Sequence, residues 1–203
     1  MRVKARVTCL DFPCGDVDHA RHEVPGAEVD PGRVRLIAVA ESPPAEAADG
    51  LYARGLPFHL ETTLDAFRAA GLTATTRREL EERGIYLTTA VKCAKVGYGV
   101  ERATVETCSH LLEKELGLFP NARAIMLMGD VAIGAMNAIA RRRTGRRLIP
   151  AGPTWKIRSG EYHFEGKQVF PSYLQTGRSY LIERSKREMI AADLRAGLAL
   201  IDR

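Results

Sequence analysis

An acid at the end of an apolar run is the first position in this chain that is placed for chemistry. Leu36-Ile37-Ala38-Val39-Ala40 leads straight into Glu41-Ser42-Pro43-Pro44. A short apolar run with β-branched residues and no polar alternation reads as a strand buried on both faces. The two prolines forbid continuation as strand or helix, so the chain turns where the sheet ends. Glu41 therefore falls at the carboxyl end of a central strand, where open α/β sheets form their ligand crevice. The plainer role for such an acid is to solvate a strand end.

Four cysteines make the second set. They fall as Cys9-x4-Cys14 and, far downstream, Cys93-x14-Cys108. Neither a secretory pattern (basic start, then apolar core) nor an apolar run of membrane-spanning length is present, so the expectation is a soluble cytoplasmic protein with no membrane partner. In that compartment paired cysteines more often mean metal or redox chemistry than disulfides. Four thiolates suit a [4Fe-4S] cluster or a tetrahedral zinc, and four unrelated buried cysteines acting as small hydrophobes is the remaining reading.

The elements that must position these groups follow from periodicity. Residues 1–34 are polar and irregular, an amino-terminal segment expected to need Cys9 and Cys14 as anchors. Leu64, Phe67 and Ala70 recur at helical spacing over 61–70, and Thr76-Arg77-Arg78-Glu79 is a capping box opening a second helix. Ile85–Val91 and Ala124–Gly129 read as further buried strands, separated by a loop at 94–100 and a helix from about Arg102 to Leu116. Asp130 is placed to cap a helix that runs to about Arg141. Alternating character on either side of Ser159-Gly160 suggests a hairpin of 154–158 with 161–165, before a short strand at 168–170 and a long amphipathic carboxyl-terminal helix. Strand–helix alternation of this kind predicts one α/β domain over 1–203, three-layered (αβα), around a mostly parallel four-stranded sheet.

Charge adds a partner class. The net charge is +5, and the window from Arg141 to Arg147 holds five arginines, with Arg178, Arg184, Lys186 and Arg187 following later. Basic clusters suit phosphate contacts, although arginines at a helix carboxyl terminus also favour the macrodipole.

Five segments, in order, resemble the uracil-DNA glycosylase superfamily, most closely its iron–sulfur (family-4-like) branch. Ala40-Glu41-Ser42-Pro43-Pro44 is similar to the family's Gly-Glu-Ala-Pro-Gly, and Gly55-Leu56-Pro57-Phe58 to its Gly-x-Pro-Phe. Tyr86-Leu87-Thr88-Thr89-Ala90-Val91-Lys92-Cys93 resembles the strand Tyr-Ile-Thr-Asn-Val-Val-Lys-Cys. Cys108, one helix further on, and the Cys9/Cys14 pair upstream complete the cluster ligands that the resemblance implies, with Cys-x4-Cys standing where the family has Cys-x2-Cys. The last family motif, His-Pro-Ser/Ala-x-Leu, aligns in two ways on Phe170-Pro171-Ser172-Tyr173-Leu174. Phe170 or Leu174 then takes the histidine position, so the histidine is absent.

The resemblance implies a DNA-repair glycosylase that flips a deaminated base, uracil first, out of DNA and hydrolyses its N-glycosidic bond. A divergent, non-catalytic nucleic-acid-binding member of the same fold is the alternative. Glu41 would direct water at the sugar carbon and stabilise the cationic transition state. Ser42 and Pro43 belong to the first motif, and Phe58 would stack on the base. Thr89 replaces the asparagine that reads the base edge, offering one hydroxyl where an amide offers a donor and an acceptor. Without the histidine, Ser172, Tyr173, Gln175 and nearby backbone N–H groups are the candidate donors to the departing base. Leu174 is a candidate wedge for the vacated space, and Arg178 and Arg146 are candidate phosphate contacts. The partner is DNA, the default oligomeric state a monomer, and the localisation the nucleoid within the cytoplasm.

Overall fold

The computed structural model describes residues 1–26, 28–97 and 99–201. Its main sheet has five strands: β2 (Leu36–Ala40), β3 (Ile85–Thr89), β5 (Ala124–Met128), β6 (Tyr162–Phe164) and β7 (Lys167–Ser172), in the order β3-β2-β5-β7-β6. β3, β2, β5 and β7 run parallel, as expected, and β6 adds an antiparallel edge. A separate antiparallel ribbon pairs β1 (Val17–His22) with β4 (Cys93–Lys95). The helices are α1 (Phe58–Ala69), α2 (Arg77–Glu82), α3 (Arg102–Leu116), α4 (Asp130–Thr144), α5 (Thr154–Ile157), α6 (Arg178–Ile182) and α7 (Arg184–Ile201).

β2, β3 and β5 are buried at every position, which is why they read as unbroken apolar runs. Alternate residues serve two cores. Ile37 and Val39 pack with Leu112 of α3 and Ile133 and Met136 of α4, while Leu36 and Ala38 pack with Leu64 and Phe67 of α1 and Leu194 of α7. The result is a three-layer α/β fold whose parallel strands all end at the edge where Glu41 stands. No described helix is long and apolar enough to cross a membrane.

Four local expectations are corrected. The hairpin joins β6 to β7 at Glu165-Gly166, both at positive φ, and residues 154–157 are helical. A two-residue turn of that kind needs the left-handed conformation twice, which Gly166 adopts freely, whereas Gly160 N–H donates to Ile157 O at 3.2 Å and so belongs to the end of α5. The amino-terminal segment does not depend on cysteines alone, since Val3, Val7, Val17, Val24 and Val29 are buried in the core and β1 is laddered to β4. The first two residues of the expected 94–100 loop, Ala94 and Lys95, belong to β4, and Tyr98 lies outside the described residues. Finally, Asp130 is the first residue of α4 and not its cap; the N-cap is Gly129, without a side-chain hydrogen bond.

Candidate active site

Glu41 takes over the capping that Asp130 does not provide. Its Oε1 lies 3.5 Å from the backbone N–H of Val131, at the positive end of α4. Gly129 makes the approach possible: a Cβ there would stand 2.6 Å from Glu41 Oε1, and the residue adopts φ +98°, ψ 173°, a region open essentially to glycine alone. The Glu41 backbone is fixed from the other side, where its carbonyl accepts from Val91 N–H at 2.9 Å. Burial pushes the carboxyl above its usual range, and the α4 amides and the Lys95 ammonium pull partly back. Gly129→Ala is expected to lower stability by about 1–3 kcal/mol and to displace the carboxylate, so that a thermal melt and any Glu41-dependent activity fall together.

The turn after Glu41 is pinned by the amino-terminal half. Ser42, Pro43 and Pro44 are buried, Pro43 O accepts from Lys95 N–H at 3.3 Å, and Pro44 O accepts from Arg21 at 3.0 Å. Thr89 lies opposite Ala40 at the end of β3, buried beside the same edge. Lys95, which sequence reasoning passed over, is a cation whose charge acts on the acid, and its place on β4 was concealed by the short, polar look of that strand.

The 172–177 loop forms the other wall. Gly129 N–H donates to Ser172 O at 3.0 Å, joining the end of β7 to the turn that cradles Glu41. The Ser172 hydroxyl, however, donates to Asp193 Oδ2 at 2.7 Å, and Asp193 is held by Arg158. Its one proton is thus engaged by a buried carboxylate, whereas the sequence nominates Ser172 as a donor to the reacting base. Phe170, a candidate for base contact, packs on the α1/α7 side of the sheet near Gly197, two residues before the end of β7. Gln175 is different. Its side chain is fully buried, and among the described residues neither Oε1 nor Nε2 has a hydrogen-bond partner. An amide so placed leaves a donor and an acceptor uncompensated in the free protein, a state that favours a polar ligand.

Beyond Gln175, Gly177 N–H donates to Thr62 Oγ1 at 2.9 Å, clamping the loop to the first turns of α1. Phe58 lines a groove with Leu56, Leu64 and Leu181 on the outer side of α1, whereas its neighbour His59 meets the loop. Tyr173 and Leu174 are half-buried, the former under the Lys186 ammonium, and Arg178 is exposed at the start of α6. Arg146 lies beyond the far end of α4, about 20 Å from Glu41 at the helical rise. Arg142 and Arg143 are bridged to Glu113, so part of the basic run is neutralised within the fold.

The four cysteines do converge. Cys9, Cys14, Cys93 and Cys108 line one cavity of about 280 Å³, with Phe12, His19 and His22. Burial, and then the three other sulfurs, push the Cys93 thiol up to about 12. As the side chains stand, no group of His, Cys, Asp or Glu among the described residues is arranged to hold a single metal ion.

Comparison with known proteins decides the family. The model of the uracil DNA glycosylase superfamily matches residues 27–195. The chain belongs to that superfamily. It is 29% identical over 100 residues to the type-5 uracil-DNA glycosylase of Thermus thermophilus, which covers 49% of this chain and 46% of that protein; the chain spans about half the length of this curated relative. The wild-type UNG crystal structure from Nitratifractor salsuginis matches with a TM-score of 0.43 at 15% identity, covering 83% of this chain and 76% of that one.

Proposed function

We propose that this chain is a DNA glycosylase that hydrolyses the N-glycosidic bond of a deaminated base, uracil first, after the nucleotide is flipped from DNA. The observation that carries the reading is the Glu41 carboxylate, half-buried at the strand edge and held at the start of α4 by a glycine that admits nothing larger. In the reaction the C1′–N bond breaks with its electron pair leaving on the base. A water oxygen bonds C1′ and passes its proton to Glu41, which also faces the developing positive charge of the sugar. Gln175 replaces the missing family amide: its unpaired donor and acceptor suit the alternating edge of a pyrimidine base. Thr89 borders the same space, Leu174 fills the gap in the duplex, and Arg178 binds a phosphate. Arg146 is too distant to share that contact, and serves at most a more remote phosphate.

The thiol-lined cavity fits a [4Fe-4S] cluster held by Cys9, Cys14, Cys93 and Cys108, because a cubane takes one thiolate at each of four irons and needs no single point of convergence. Bound, the cluster supplies a cross-link between the amino-terminal segment and the β4–α3 connection. Protein purified without air is expected to carry about four irons per chain and a broad visible absorption, both lost in Cys108→Ser; colourless, iron-free protein would remove the cluster from the account.

The functional test uses short DNA, single- and double-stranded, carrying uracil, hypoxanthine or xanthine. Alkali-labile abasic sites are the expected product, with uracil the best substrate. Tight DNA binding without any abasic product would favour a non-catalytic member instead, a reading that the missing motif histidine and the committed Ser172 hydroxyl keep in view. The working form is taken as a monomer that meets DNA in the nucleoid.

A further inference from the structure

The departing base needs a donor, and the loop that supplies one in the family has no histidine here. His59 stands across from that loop. Its Nε2 is 2.9 Å from where a Gly177 Cβ would be, so the loop comes this close only because residue 177 is glycine, at φ +70°. The ring projects from the first turn of α1, which Thr62 ties to Gly177 N–H. It is half-buried, and its nitrogens make no hydrogen bond among the described residues.

Two chains of contact lead from this ring toward the Glu41 turn. Gly177 belongs to the loop that leaves Ser172, whose carbonyl is bonded to Gly129, the residue on which Glu41 rests. Lys95 is bonded through its N–H to Pro43 O, two residues after Glu41, and its charge acts on both Glu41 and His59.

We propose that His59 donates a hydrogen bond to the departing base, supplying from α1 the imidazole that the 170–177 loop lacks. This rests on the glycosylase reading. It differs from that reading in assigning the leaving-group role to a residue outside the family's last motif, next to the phenylalanine that the sequence nominates for stacking. Burial, with the Lys95 ammonium adding to it and the Asp49 carboxylate opposing, holds the imidazole below its usual titration range. It is therefore neutral near pH 7, with one N–H to donate and no added positive charge to repel Lys95. The base leaves as an anion, accepts the hydrogen bond, and takes its proton from water afterwards.

The test compares two leaving groups in single-turnover assays on the full chain: DNA carrying uracil, and DNA carrying 5-fluorouracil, whose anion is more stable. Loss of one such donor slows reaction by about 10²–10³-fold. His59→Ala is expected to lose that much on uracil and far less on 5-fluorouracil, with the change in rate at saturation and not in DNA affinity. His59→Gln, which keeps an N–H donor, is expected to recover part of the uracil rate, and thermal melts of both variants to match wild type. Equal losses on the two bases, or no loss, in variants that remain folded would overturn the assignment of His59 while leaving the glycosylase standing. An unfolded His59→Ala leaves His59→Gln to decide by the same ratio of the two substrates. Wild-type protein that cuts neither substrate would overturn both.

Discussion

Glu115→Leu is expected to lower the unfolding free energy by about 3–5 kcal/mol, the range for removing one partner of a buried ion pair. Lys92 and Glu115 are both fully buried and paired side chain to side chain. The Lys92 ammonium also donates to Thr88 Oγ1 at 2.9 Å and to Thr89 O, while Glu115 Oε1 accepts from Tyr86 at 2.7 Å and Thr88 at 2.9 Å. Without the carboxylate, a cation and two hydroxyls lose their partner where water cannot replace it. Against a typical total of about 5–15 kcal/mol, that is a large share. The double variant Lys92→Met/Glu115→Leu is expected to recover much of the loss, because the uncompensated charge goes with it. Urea midpoints measure both; a Glu115→Leu midpoint equal to wild type would contradict the network. The same network bears on the site, since it fixes the end of β3 at Thr89, and Lys92 N–H reaches Cys108 Sγ at 3.3 Å.

Glu41→Gln is expected to slow uracil excision by about 10²–10⁴-fold, the range for losing a positioned base, with little change in stability. The amide keeps an oxygen for Val131 N–H and the shape that fits over Gly129, so the cap survives. Burial already disfavours the charged form of this side chain, so a neutral one is tolerated in the fold. What the variant cannot do is take a proton from water. Thermal melting beside single-turnover rates separates the two effects.

Much of the framework was legible because its signals are local. The buried parallel strands announced themselves as apolar runs, and Thr76 caps α2 by accepting from Glu79 N–H, as the capping box implies. The misplaced hairpin and the unseen β1–β4 ribbon depend on turn conformation and on pairing across 70 residues or more, where side-chain pattern is weak. At the site, Glu41 could be placed by its strand, and the cysteines by their number. The commitments of Ser172 to Asp193 and of Phe170 to the α7 side could not be read, because each is set by a helix distant in sequence. Gln175 was within reach as a loop amide, but its complete burial without a partner is a fact of packing. His59 was overlooked because Phe58, its neighbour, matched a motif.

The central claim is that Glu41, as a carboxylate, directs water at a flipped base. The most direct measurement is the single-turnover rate of uracil excision by wild type and by Glu41→Gln from acidic to neutral pH. Only the ionised acid can accept the proton, and burial raises the pH at which it ionises, so the wild-type rate is expected to climb with pH along a limb centred above the ordinary glutamate range. Glu41→Gln is expected to be slow throughout, without that limb. A Glu41→Gln rate equal to wild type, with the same pH dependence, would contradict the account.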